Sequence, residues 1–143
     1  MADEAQWFRA FVERSLQEVW DSPKVVQDED GDYPFGDDSM TAYVTVEREQ
    51  GLGVCVWSYA ARGVKGAVGV LREVNDLNIQ SRLCKVTWRN GLIRVELRLP
   101  ADQVSVESLE RACGHVRGIA SDVGQMFAVV HGAVDAPAVP QAS

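Results

Sequence analysis

The chain lacks an excess of positive charge: 14 lysines and arginines stand against 21 aspartates and glutamates, a formal net charge of −7. Gripping a phosphate backbone requires a concentrated basic surface, so nucleic acid is excluded as the expected partner. Cysteine is scarce. Cys55, Cys84 and Cys113 are odd in number and isolated, which excludes a disulfide framework and fits no zinc or redox spacing. They read as reduced core thiols of a cytoplasmic protein. No apolar run approaches the roughly 18 residues of a membrane span. Met1 to Gln6 is acidic and has neither the basic start nor the apolar stretch of an export signal. Histidine is limited to His115 and His131, neither beside a nucleophile, and no GxSxG, HExxH, Walker A or dinucleotide fingerprint occurs. The expectation is a protein with no enzymatic activity, no cofactor and no metal.

What is present is a globular composition, 46% hydrophobic and 24% charged over 143 residues, enough for one core that buries roughly two-thirds of the unfolded surface. The expected organisation is a single domain over 1–132, followed by a disordered Ala/Pro tail over 133–143.

From Glu4 to Trp20 the apolar residues Phe8, Phe11, Val12, Leu16 and Val19 recur at helical spacing, and Asp21-Ser22-Pro23 ends that helix. A strand is expected to begin at Lys24. Asp28 to Asp38 holds six acidic residues with Gly31, Pro34 and Gly36, and reads as a solvated loop. A calcium loop is disfavoured, because counting from Asp28 puts Tyr33 where an EF-hand needs glycine and leaves no glutamate at the twelfth position. Thr41–Glu47 alternates with Ala42, Val44 and Val46 on one side, and Val54–Ala60 is apolar on both, so the two form a central hairpin.

Ala67 to Gln80 is helical, with Ala67, Val70, Val74 and Leu77 on the inner face. Val68, Leu71 and Ile79 make a second apolar surface that a chain this short cannot cover, and they are candidates for a homodimer interface. Asn78 projects among apolar neighbours, and the expectation is that its amide ties the helix end to an adjacent strand backbone. Gly63, Gly66 and Gly69 beside Lys65 read as a turn rather than an anion cradle.

Asn90-Gly91 is a strong hairpin signal between Leu83–Arg89 and Leu92–Leu99. Ile93, Val95, Leu97 and Leu99 face inward, while Arg94, Glu96 and Arg98 face water. Ser105 can cap a final helix whose apolar stripe runs from Leu109 to Val130 and ends near Gly132. Gly114, Gly118 and Ser121 lie opposite that stripe, either tolerated there or approached by a second chain.

The resulting order is helix-β-β-β-helix-β-β-helix, an α+β fold whose antiparallel twisted sheet is covered by helices on one face. Trp57 and Tyr59 share a strand side with Cys55, and Trp88 leaves the later hairpin. Aromatics at strand spacing either fill the core or line the outer sheet surface, where Trp57, Tyr59 and Trp88 become candidates for partner contact.

The stretch Val70-Leu-Arg-Glu-Val-Asn-Asp-Leu-Asn78, the strand Leu92–Pro100 and the junction Val104-Ser-Val-Glu-Ser-Leu109 together resemble the YbjN-like and actinobacterial TY-Chap families. These are similar in fold to type III secretion chaperones, and the resemblance spans about Trp7 to Gly132. It implies a small acidic α+β domain that dimerises, binds a client protein without a cofactor, and carries no catalytic residues. Two functions are therefore weighed: a chaperone-like protein-binding module, and a small-molecule-binding sensory domain using a cleft between sheet and helices.

Overall fold

The computed structural model describes residues 2–37, 40–132 and 134–135. Helix α1 spans Ala2–Val19, strands β1 to β3 span Tyr33–Asp37, Met40–Glu47 and Gly53–Arg62, and helix α2 spans Val68–Gln80. Strands β4 (Lys85–Arg89) and β5 (Leu92–Pro100) precede a short 3-10 turn, the long helix α3 (Val106–His131) and a two-residue strand β6 (Val134–Asp135). The sheet is antiparallel in the order β1-β2-β3-β5-β4, with β6 paired to the end of β3. The expected α+β architecture is the one observed.

One core lies on one face of this sheet. Phe8, Val12 and Leu16 from α1, Val70 from α2 and Leu109, Val116 and Phe127 from α3 pack with Val44, Val56, Val86, Ile93 and Val95 from the strands. Strands β1 to β5 contribute alternate residues, apart from an irregularity at Tyr59–Ala61 that buries both Ala60 and Ala61, so most second side chains are left on the opposite face. All three cysteines are buried free thiols. Burial pushes Cys55 and Cys113 up to about 12 and Cys84 to about 11, which holds them as unreactive thiols.

Local signals set both ends of α3 and the β4–β5 turn. Ser105 caps α3 reciprocally: its Oγ accepts the Ser108 amide at 3.0 Å and its own amide donates to Ser108 Oγ at 2.8 Å. Gly132 closes the helix with φ 65°, a left-handed conformation that glycine adopts without penalty. Asn90 and Gly91 both have positive φ, 52° and 83°, as a two-residue hairpin of the sheet's handedness needs.

Two expectations are corrected. No strand begins at Lys24, because Lys24–Gln27 runs without ladder partners. The first strand is instead Tyr33–Asp37, inside the segment expected as a solvated loop. Its anchor is Tyr33, whose ring is fully buried and opposite Val44, with its hydroxyl donating to Glu13 Oε2 at 2.9 Å. Pro34 is tolerated because β1 is an edge strand. Only the first half of the acidic segment turns, with Asp28 Oδ1 accepting the amides of Asp30 and Asp32 at 2.9 Å each.

The sixth strand has no counterpart in the sequence reading. Val134 and Asp135, which fall within the expected tail, pair with Arg62 and Ala61. The rest of 133–143 lies outside the described residues.

Candidate partner-binding surfaces

The uncovered sheet face is built by register. In an antiparallel ladder, directly opposed residues share a face, so Tyr43 and Thr45 of β2 stand beside Trp57 and Cys55 of β3. Glu96 and Arg94 of β5 stand beside Trp57 and Tyr59 on the other side. The result is an aromatic strip on β2 and β3, flanked by the charged residues of β5. Tyr43 stacks on Trp57 with ring centroids 4.6 Å apart, and Tyr59 meets Trp57 edge-on at 5.3 Å. The Arg94 guanidinium lies 4.2 Å from the centroid of the Trp57 ring.

Polar groups hold this strip in place. Trp57 Nε1 donates to Thr45 Oγ1 at 2.9 Å, and the Thr45 hydroxyl donates onward to Asp32 Oδ1 at 2.7 Å. Arg94 Nε faces Glu96 Oε1 at 3.6 Å, an ion pair without a hydrogen bond. Arg98 closes the far end on Glu47 at 2.7 Å. The Thr45–Asp32 bond sets the acidic turn against one side of the strip, and burial raises the Tyr43 pKa, with Asp28 and Asp32 adding to the effect. Burial likewise raises the pKa of Asp32.

The strip is oriented by its polar contacts and only half-buried, with Tyr43, Trp57, Tyr59 and Arg94 all partly open to solvent. A groove of about 630 Å3 continues from it along Tyr59, Thr87, Arg94 and Glu96 toward the β4–β5 turn. Such a surface offers half-exposed aromatic area and a cation to an extended peptide.

Trp88 is not brought together with Trp57 and Tyr59. It opposes Ile93 in the ladder, which puts its side chain on the covered face. Its Nε1 donates to the Val64 carbonyl at 2.7 Å, and its ring lies so close over Gly66 that a Cβ there would sit 2.7 Å from it. Trp88 borders the groove near Tyr59 while fastening the entry to α2. This was legible, since a two-residue Asn90-Gly91 turn pairs residue 88 with 93. Tyr43 was missed as well, although Ala42, Val44 and Val46 inward implies Tyr43 outward.

A second surface lies on α2. Val68, Leu71 and Ile79 are 65%, 54% and 71% exposed, three large aliphatic residues in water on the side away from Val70. The helix is pinned beneath them by Asn78, whose amide bonds the Val86 backbone from both its oxygen and its nitrogen.

Among the described residues, no group of three or more His, Cys, Asp or Glu could hold a metal ion, and no helix is long and apolar enough to cross a membrane. Residues 6–136 match TY-Chap1, described as "T3SS (YopN, CesT) and YbjN peptide-binding chaperone 1". The chain belongs to the TY-Chap1 family.

Solved structures similar to this TY-Chap1 chain share its fold. The crystal structure of the ExsC–ExsE complex is 15% identical with a TM-score of 0.67, covering 94% of this chain and 97% of that one. A chain of the HopA1–SchA chaperone–effector complex is 11% identical with a TM-score of 0.67, covering 82% and 94%. The Yersinia pestis type III secretion chaperone SycH, in complex with a stable fragment of YscM2, gives 13% identity and a TM-score of 0.59, covering 77% and 97%. Among curated proteins no relative matches.

Proposed function

We propose that this TY-Chap1 protein is a non-enzymatic, chaperone-like module that acts as a small acidic homodimer and holds an extended segment of a client protein. The observation that carries the reading is the oriented, half-exposed strip of Tyr43, Trp57 and Tyr59 on a sheet face that the core does not use. The family description names peptide binding, and the solved relatives are seen in complexes with protein partners. Trp57 and Tyr59 are the assigned client contacts, with Trp88 bordering the same groove. Val68, Leu71 and Ile79 are the assigned dimer contacts, because their exposure is relieved by a second copy of the same helix. Three unpaired buried thiols support a reducing, cytoplasmic setting.

The grooves beside the sheet are open clefts, a shape that suits a chain segment better than an enclosed metabolite. Size-exclusion chromatography with light scattering, followed by affinity capture from a lysate with wild-type and Trp57→Ala bait, tests the reading. A dimer retaining one stoichiometric protein that the variant loses supports it. A monomer that captures nothing, and whose melting temperature moves with a metabolite, overturns it in favour of a sensory domain.

A further inference from the structure

We infer that the groove between α3, β5 and the α2–β4 connection takes a large aliphatic side chain of a partner segment that carries acidic residues beside it. The inference rests on the peptide-binding reading above and names the chemistry of one bound segment. The groove has a volume of about 400 Å3 and an aliphatic floor of Leu83, Leu97 and Leu99. It exists because α2 packs on β4 and α3 packs chiefly on β3, which leaves the covered face of β5 between them only partly filled. Leu97 and Leu99 are half-buried there, and Leu83 stands 57% exposed at the mouth. A leucine-sized side chain of a partner removes all three from water at once.

Charge specifies the rest of the occupant. The lining includes Arg82, Arg111 and His115, and although the chain has 21 acidic residues, no Asp or Glu lines the groove among the described residues. Arg98 also reaches it but is engaged by Glu47 and Gln50. Arg82 and Arg111 have no ion-pair partner among the described residues. Two unpaired guanidiniums beside an apolar floor match carboxylates that flank an aliphatic residue, since each can bind a carboxylate through paired N–H donors. In a chain whose net charge is −7, a groove lined by cations and no carboxylate favours an acidic segment in the register that places its carboxylates at Arg82 and Arg111.

The test uses isotope-labelled full-length protein and two short acetylated peptides, one with central leucines between glutamates and one with lysines in place of the glutamates. The expected result is chemical-shift change centred on Leu83, Leu97 and Leu99 with the acidic peptide only, weakening as salt is raised. Arg82→Glu with Arg111→Glu is expected to weaken that binding at least about tenfold. Both arginines are exposed, so the fold is retained; Arg82→Gln with Arg111→Gln serves as the milder pair. No shift at the groove, equal binding of the lysine peptide, or binding of dodecanoate in place of the peptide overturns the inference. Shifts confined to Trp57 and Tyr59 overturn it while leaving the peptide-binding reading standing, and absence of any peptide binding together with failed client capture removes both.

Discussion

The side-chain amide of Asn78 makes to Val86 the two hydrogen bonds that a neighbouring strand would make: Nδ2 donates to the Val86 carbonyl at 2.7 Å and Oδ1 accepts the Val86 amide at 2.8 Å. Strand β4 is an edge of the sheet, and the backbone groups of Val86 point away from β5. One residue of α2 thereby both seats the helix and closes part of an edge that would otherwise invite another chain.

Asn78→Ala is expected to destabilise the protein by about 2–3 kcal/mol, because it leaves a buried N–H and a buried C=O without partners. Denaturant unfolding measures the loss. Concentration-dependent association of the variant is the accompanying sign of the opened edge, and an unchanged midpoint would show that water replaces the amide.

Val68→Glu with Ile79→Glu is expected to yield a folded monomer. Both positions are more than half exposed, so the charges cost little within one chain, yet they would repel across a two-fold interface. Light scattering reads the mass and circular dichroism reads the fold. A dimer that survives the double change places the interface elsewhere.

Trp57→Ala removes two aromatic contacts, the ring beneath Arg94 and the donor to Thr45. The expected loss of stability is about 1–2 kcal/mol, small enough to leave the domain folded. Client capture should fall far more, at least tenfold. Equal retention of client by wild type and variant would remove Trp57 from the contact surface.

Asp32 gives a pH signature. Burial raises its folded-state pKa above the ordinary 3.8, the Thr45 hydroxyl opposes the rise, and Asp28 and Asp30 add to it. Between the unfolded and folded values the native state holds the extra proton, so stability falls as pH rises through that window and stays reduced above it. Asp32→Asn removes the buried charge and keeps an oxygen that can accept the Thr45 hydroxyl. The variant should melt above wild type at pH 7, with the gap closing as pH falls toward 3.8. A lower melting temperature at pH 7 would show that the charged hydrogen bond outweighs the burial.

Gly114 and Gly118 face open space on α3, where an added Cβ meets no atom within 4 Å. Gly114→Ala and Gly118→Ala should each raise stability by about 0.5–1 kcal/mol through helix propensity alone. If partner capture is intact in the doubly substituted protein, no chain approaches that side closely; if it is lost, the glycines serve a contact.

Periodicity and end signals in the sequence determined the helices and the later hairpin. Phe8, Val12 and Leu16 define the buried side of α1, Ser105 and Gly132 bound α3, and Asn90-Gly91 sets the turn from which the β4–β5 register follows. These are properties of a few adjacent residues, and the helical or pleated backbone converts their spacing directly into a shared face. The Asn78 tie to a neighbouring strand was legible as well, although the residue itself is exposed and its amide reaches Val86 from the helix flank.

Only the tertiary structure decided which faces meet. Tyr33 draws the first strand into an acidic stretch that reads locally as loop, because a fully buried ring against Val44 outweighs the turn preference of Asp and Gly around it. The cation over Trp57 comes from Arg94, 37 positions on, and exists because α2 carries the chain across so that β5 lies beside β3. The partly filled space over β5 arises in the same way, from where two helices settle on one sheet. Sequence spacing encodes the direction of a side chain within its own element, whereas the surface it joins depends on strand order and helix docking, which are set by the packing of the whole core.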